Sequence, residues 1–80
     1  MKKVDIMSYE YRIGQNIMRI RNSVGLSQAD MGDYGISRAY YGKLELGLHH
    51  MTLNKMRLIA KALGVTCSSL LQDEEGREIL

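Results

Sequence analysis

Nine residues of the kinds that begin or end helices divide this chain of 80 residues into short segments. Five are Ser or Thr, whose side chains accept hydrogen bonds from the free amides at helix starts: Ser8, Ser27, Ser37, Thr52 and Thr66. Four are glycines, which commonly end helices or turn the chain between them: Gly25, Gly35, Gly47 and Gly64. Because the chain contains no proline, nothing breaks the segments between these positions. The pattern predicts a compact all-α bundle of five helices.

The buried faces of these helices follow from the spacing of their apolar residues. The first helix is expected from Tyr9 to Val24, with a buried stripe of Ile13, Ile17, Ile20 and Val24. The fourth begins after Thr52, with a stripe of Leu53, Met56, Ala60 and Leu63. The fifth is short and carries Leu70 and Leu71. Together they supply one modest core, as expected of a chain that buries about 60 to 65% of its unfolded surface.

The middle of the chain predicts two short helices joined by a tight turn. The shorter helix runs from Gln28 to Met31 and the longer from Arg38 to Leu46. Gly35 lies between them, and a glycine with positive φ allows a sharp change of direction. Such a pair is the physical signature of a helix-turn-helix, whose second helix enters the major groove of DNA.

Charge is distributed unevenly along the chain. Residues 1–72 hold ten Lys and Arg against five Asp and Glu, a net charge of +5. Residues 73–80 hold one against four, a net charge of −3. A positive body favours a polyanionic partner through long-range attraction and counterion release. We expect an N-terminal arm over 1–8, the DNA-binding domain over 9–72 and an acidic C-terminal tail over 73–80.

A cytoplasmic location is expected from two features. The only cysteine, Cys67, cannot form an internal disulfide, which favours a reducing compartment and a role as a small core residue. No apolar run after the N-terminal lysines resembles a secretory signal. Since no Cys-x-x-Cys or His-x-x-x-His spacing occurs, the sequence predicts no metal site, and no motif indicates a cofactor.

Residues spread along the chain resemble the helix-turn-helix domain of Cro and the phage repressors. The matching positions are Ile13-Gly14, Ile17, Ile20-Arg21, Gly25 to Gln28, Gly35 to Arg38, Tyr41, Leu44-Glu45, Gly47 and Ile59 to Val65. The loop from His50 to Leu53 is also similar to that of the restriction-modification controller proteins, a subgroup of free-standing dimers. The resemblance implies a bundle of the lambda-repressor type.

The resemblance has one departure and one structural consequence. The family usually has seven residues between the glutamine of the second helix and the turn glycine, whereas Gln28 and Gly35 are separated by six. We therefore expect a second helix that is one residue shorter. The resemblance also implies a structural ion pair between Arg21 and Glu45, which would fix the first helix against the third.

The start of the third helix carries the residues expected to read DNA. Arg38 can bond guanine O6 and N7 together, Ala39 and Tyr40 can contact a thymine methyl, and Lys43 can reach the groove or a phosphate. Phosphate contacts are expected from residues at helix starts and from the loop after the third helix: Ser27, Gln28, Ser37, His49, Thr52 and Lys55.

These features predict a small homodimeric transcriptional regulator, such as a repressor, on a two-fold symmetric DNA operator. Its interface is expected at Leu63, Val65, Leu70 and Leu71, with Ile79-Leu80 in addition. The alternative is a protein-interaction module, such as an antitoxin, that binds a basic partner protein through the acidic tail and regulates its own synthesis. An enzyme is disfavoured, because no His, Cys or Ser has a plausible neighbouring base.

Overall fold

The computed structural model describes residues 3–80, and this part of the chain is a bundle of helices without a strand. The elements are α1 (Tyr9–Ser23), the 3₁₀ helix η1 (Ala29–Tyr34), α2 (Arg38–Glu45), α3 (Leu53–Leu63) and α4 (Cys67–Leu70). The extended pairing that occurs is a single antiparallel bridge between Gln72 and Glu78. The predicted all-α bundle of five helices is confirmed.

The four α-helices begin at the caps that the sequence predicted. The hydroxyl groups of Ser8, Ser37, Thr52 and Thr66 each accept a hydrogen bond from the amide three residues later, at 3.0 to 3.3 Å. Such a cap typically contributes about 1 kcal/mol to helix stability. The bounds of these helices are therefore determined largely by local chemistry.

The second helix differs from its prediction in kind and in length. Its first turn is held by a reciprocal pair, in which Ser27 Oγ accepts from the Asp30 amide at 3.2 Å and the Asp30 carboxylate accepts from the Ser27 amide at 2.7 Å. It is a 3₁₀ helix that continues to Tyr34 and ends at Gly35, whose φ is 83°. A 3₁₀ helix rises about 2.0 Å per residue against about 1.5 Å in an α-helix. Six residues in this form cover about the length of seven or eight α-helical residues, which offsets the missing residue.

The core lies where α1, η1, α2, α3 and α4 converge. Its most deeply buried members are Ile17, Met31, Ile36, Tyr41, Leu44, Ile59 and Leu70. The prediction that Val24 and Leu53 belong to the core is wrong, because Val24 is 46% exposed and Leu53 is 78% exposed. Both residues continue the apolar stripe of their helix, but Val24 caps the C-terminal end of α1 and Leu53 is the first residue of α3. At these helix ends their side chains are exposed to solvent. Ile59, absent from the predicted stripe, is fully buried on α3.

Two glycines let α1 lie directly against the C-terminal end of α2. A Cβ on Gly14 would be 2.4 Å from the carbonyl oxygen of Leu44, and a Cβ on Gly47 would be 2.5 Å from the amide of Tyr11. Gly47 also has a φ of 72°, which other residues rarely adopt. This close approach determines the position of α2 relative to α1.

The acidic C-terminal segment folds back onto the bundle. The Asp73 amide donates to the Arg77 carbonyl and the Ile79 amide to the Leu71 carbonyl, both at 2.8 Å. Ile79 is only 5% exposed, whereas Leu80 is 64% exposed. The expectation that Ile79 contributes to a dimer interface is therefore wrong, because its side chain packs within its own chain.

The N-terminal segment before α1 forms a turn. The Ser8 amide donates to the Asp5 carbonyl at 3.1 Å, and the Asp5 carboxylate accepts from the Met7 amide at 2.9 Å. Of the predicted arm over residues 1–8, the first two residues lie outside the described part of the chain.

Candidate nucleic-acid interface

A buried carboxylate holds α2 against the two elements that precede it. Glu45 Oε2 accepts from Arg21 Nε at 2.7 Å, and Glu45 Oε1 accepts from Arg21 Nη2 at 3.2 Å. The side chains are 10% and 3% exposed for Arg21 and Glu45 respectively. The hydrogen bond to Glu45 raises the pKa of Arg21 above its ordinary value. The structure thus contains the ion pair that the resemblance implied.

The same carboxylate also binds the start of η1. Gln28 Nε2 donates to Glu45 Oε1 at 2.9 Å, and Arg21 Nη1 donates to the Leu26 carbonyl at 2.7 Å. Gln15 Nε2 donates to the backbone carbonyl of Glu45 at 2.9 Å. The first helix and the start of η1 therefore both bind one residue of α2, which leaves α2 little freedom to tilt.

The outer face of α2 is free of such contacts. Tyr41, Leu44 and Glu45 point into the bundle, while Arg38 and Lys43 are exposed. Neither of these two cations forms an ion pair within residues 3–80. They are therefore available to a ligand outside the protein.

Tyr40 faces the following loop rather than the outer face. Its ring stacks on His49 with 5.0 Å between centroids, and Lys55 Nζ lies 5.4 Å from the ring centroid. Its hydroxyl donates to the His50 carbonyl at 3.3 Å. Tyr40 thus connects α2 to the loop and to the first turn of α3, where the Thr52 cap lies.

A cleft of about 620 Å³ lies between α1 and α2 beside the exposed cations. It is lined by Gln15, Met18, Gln28, Arg38, Ala39, Gly42, Lys43, Glu45 and Leu46. The sequence indicated neither Gln15, Met18 nor Gly42 as part of a site. The signal available for Gly42 was a glycine in the middle of a helix, where glycine lowers stability.

Comparison with known proteins identifies this arrangement of helices. Residues 17–70 match a family model described as helix-turn-helix. The chain belongs to the helix-turn-helix family. It is 37% identical over 60 residues to YonR of Bacillus subtilis (strain 168), an HTH-type transcriptional regulator derived from the SPbeta prophage. That match covers 74% of this chain and 56% of YonR, so the chain spans little more than half the length of that curated relative.

The helix-turn-helix fold is also similar to a solved structure, that of the restriction-modification controller protein C.AhdI from Aeromonas hydrophila. The TM-score is 0.76 with 28% sequence identity, and the match covers 82% of this chain and 97% of C.AhdI. The predicted membership of the Cro and phage-repressor type, with similarity to the controller proteins, is confirmed. The chain is a helix-turn-helix domain of the type found in DNA-binding transcriptional regulators.

The residues predicted to read DNA are placed differently by the helix-turn-helix fold. Arg38, Ala39 and Lys43 share the outer face of α2. Tyr40, which the sequence grouped with them, is held against the loop by His49 and Lys55. Its helical position gave no sign of this, because the contacts come from residues nine to fifteen positions later.

The predicted phosphate contacts fall into two groups in the helix-turn-helix domain. Ser27 and Gln28 already use their polar groups inside the protein, on Asp30 and Glu45. The amide and hydroxyl of Ser27 hold the pKa of Asp30 below its ordinary value. In the second group, His49 and Lys55 both contact Tyr40, and the exposed cap Thr52 lies between them in the sequence. Ser37, the remaining predicted contact, caps the start of α2.

The predicted dimer interface of the helix-turn-helix domain is only partly at the surface. Leu63 is 4% exposed and Leu70 is fully buried, so both are core residues and their expected place in an interface is wrong. Val65 and Leu71 are half-buried. Leu71 also lines an apolar groove of about 470 Å³, together with Tyr9, Leu53 and Leu80, which are more than half exposed.

Two kinds of site are absent from residues 3–80. In that range no three His, Cys, Asp or Glu side chains are grouped so as to hold a metal ion. Its longest helix has 15 residues, and none is long and apolar enough to cross a membrane. Cys67 is a free, half-buried thiol.

Proposed function

We propose that this chain binds double-stranded DNA in a sequence-specific manner as a homodimeric transcriptional regulator in the cytoplasm. In this proposal α2 lies in the major groove. The observation that carries it is the division of α2 into an inner face fixed by the protein and an outer face with two unpaired cations. Arg38 and Lys43 on that face have no partner inside the described chain.

The rigidity of α2 supports this role. The ion pair between Arg21 and Glu45 and the close approach at Gly14 hold the helix before DNA arrives. A helix that is already held in position loses less conformational entropy on binding than a mobile segment. The eight residues of α2 extend about 12 Å, and the major groove is about 12 Å wide.

We assign the base contact to Arg38 because it lies at the start of α2 and can bond guanine O6 and N7 together. Ala39 offers a methyl group beside it, and Lys43 reaches the groove wall or a phosphate. The Ser37 cap lies at the positive end of α2, where a phosphate is favoured. His49, Thr52 and Lys55 supply a second phosphate contact at the start of α3.

Dimerisation is expected because one recognition helix contacts too few base pairs to specify an operator. A recognition helix contacts only a few base pairs, so two copies on half-sites about 34 Å apart give a longer operator. Of the predicted interface, Val65 and Leu71 remain at the surface. Leu71 borders the apolar groove with Leu53 and Leu80, and we place the interface along that side.

The test is selection of bound duplexes from a random pool, followed by titration of the selected and a scrambled duplex by fluorescence anisotropy. We expect a two-fold symmetric motif, and sedimentation of the complex as two chains per duplex. Binding of the selected and scrambled duplexes with equal Kd at moderate salt, at concentrations where the protein is dimeric, would contradict the proposal.

Two matched variants locate the reading surface. Arg38→Ala should weaken binding to the selected duplex by about 1 to 3 kcal/mol and binding to scrambled DNA much less. Arg57→Ala removes the same charge from an exposed position of α3 and should affect both duplexes equally and weakly. Equal losses for the two variants on the selected duplex would show that Arg38 acts only through its charge.

A further inference from the structure

Gly42 is a glycine that the fold does not require. It lies in the middle of α2, and its φ is not among the positive values found in the described chain. A Cβ on Gly42 would meet only the end of the Gln28 side chain, with Oε1 at 3.4 Å and Cδ at 4.0 Å. The Cβ of an alanine could therefore be accommodated. Gly14, by contrast, would place its Cβ 2.4 Å from a backbone oxygen.

The missing side chain has a cost and brings no packing benefit. Glycine is the weakest helix former apart from proline, because it loses the most backbone entropy and shields no backbone. α2 has only eight residues, so each of them matters to its stability. The empty position where a Cβ of residue 42 would lie is therefore better explained by contact with a bound ligand than by packing within the protein.

That space opens onto the outer face of α2 next to Arg38. Arg38 and Gly42 are four residues apart, so they lie one above the other on the same side of the helix. Both line the cleft of about 620 Å³ together with the apolar side chains of Met18, Ala39 and Leu46. The result is an apolar depression beside an unpaired guanidinium.

Neighbouring side chains are held away from this depression. Gln28 lies at its edge but donates to Glu45 at 2.9 Å, which fixes its amide. Tyr40, the largest apolar side chain near the start of α2, is retained by His49 and Lys55. The protein itself therefore does not fill the space above Gly42.

We propose that Gly42, with Ala39, is a specificity-determining residue that receives the C5-methyl group of a thymine next to the base pair read by Arg38. The assignment rests on the proposed function of α2. The thymine methyl is the one apolar group that an ordinary base pair presents in the major groove, and it is close in size to the missing Cβ. A polar base edge fits less well, because it would exchange hydrogen bonds to water for contacts with the apolar side chains of Met18, Ala39 and Leu46.

The test removes only the methyl group from the DNA. Each thymine of the selected half-site is replaced in turn by deoxyuridine, which pairs identically, and Kd is measured with the wild-type chain. At one thymine we expect binding about fourfold weaker, the value for one buried methyl group. Deoxyuridine at thymines outside the half-site serves as the control and should leave Kd unchanged.

A variant then tests whether Gly42 is the residue that receives the methyl. Gly42→Ala should weaken binding to the thymine duplex by roughly fivefold or more because the added Cβ occupies the space. Its loss on the deoxyuridine duplex should be clearly smaller. Gly32→Ala is the matched control, since a Cβ there meets nothing within 4 Å. Both variants should melt at or above the wild-type temperature.

The outcomes separate the two proposals. If a selected motif exists but no single deoxyuridine changes Kd, the methyl contact is wrong and the proposed function stands. If Gly42→Ala loses the same factor on both duplexes, or melts lower than wild type, the assignment to Gly42 is wrong. If no motif is selected at all, the proposed function fails first.

Discussion

The buried ion pair between Arg21 and Glu45 predicts a large stability loss for Glu45→Gln. The glutamine keeps the shape of the side chain but leaves the Arg21 guanidinium, 10% exposed, without its counter-charge. Removing one partner of a buried pair costs about 3 to 5 kcal/mol. Arg21 retains its bond to the Leu26 carbonyl, so we expect the lower end, about 3 kcal/mol.

This loss is large for a domain of this size. A chain of 80 residues is stable by about 4 to 12 kcal/mol in total. The expected decrease in Tm is about 12 to 24 °C. Urea unfolding followed by circular dichroism should show a lower midpoint with an unchanged m-value, because the same surface is exposed on unfolding.

Two controls separate a buried charge from charge in general. Arg77→Gln breaks an exposed ion pair, whose arginine side chain is 73% exposed, and should leave the midpoint unchanged. Replacing both buried partners together, Arg21→Met with Glu45→Leu, should recover much of the loss, because no unpaired charge remains. An unfolding midpoint of Glu45→Gln equal to that of wild type would refute the reasoning.

Three further perturbations test other parts of the structure by urea unfolding. Gly14→Ala should destabilise the domain by about 1 to 3 kcal/mol, because its Cβ would overlap a carbonyl oxygen of α2. Ile79→Ala should cost about 2 to 5 kcal/mol, whereas Leu80→Ala should cost little, if the acidic segment is folded as described. Asp30 has a lowered pKa in the folded state, so its contribution is present at neutral pH and is lost as pH falls below the ordinary value of 3.8. Asp30→Asn should accordingly make the loss of stability below pH 3.8 less steep than in wild type. An unchanged pH dependence of the urea midpoint in that range would contradict the contact with Ser27.

Much of the fold could be predicted because its signals are local. The caps at Ser8, Ser37, Thr52 and Thr66 act within three residues of the helix start, so the sequence contains all of their chemistry. The turn at Gly35 is local in the same sense. The 3₁₀ form of η1 could not be predicted, because a short segment with few apolar residues has no periodicity that distinguishes the two helix types.

The errors in burial have a different origin. Periodicity indicates which face of a helix is apolar, but not which body covers that face. Leu63 and Leu70 were therefore expected in an interface although the protein's own core buries them. Leu53 lies on the apolar side of α3, but it is the first residue of that helix and the bundle does not cover it. These outcomes depend on where the helices end in three dimensions.

The candidate site shows the same limit. Arg38 and Lys43, which were expected to read DNA, are exposed, and no ion pair from elsewhere in residues 3–80 reaches them. Tyr40 was misplaced because its partners His49 and Lys55 belong to the loop and the next helix.

The separation of α2 into two faces has a consequence for how such a regulator acquires new targets. Its inward residues are shared with the core, so changing them endangers the fold. Arg38, Ala39 and Lys43 are exposed, and substitutions at exposed positions usually change stability by no more than about 0.5 kcal/mol. If α2 reads DNA as proposed, a lineage carrying this domain can therefore move from one operator to another by single codon changes, without passing through an unfolded ancestor.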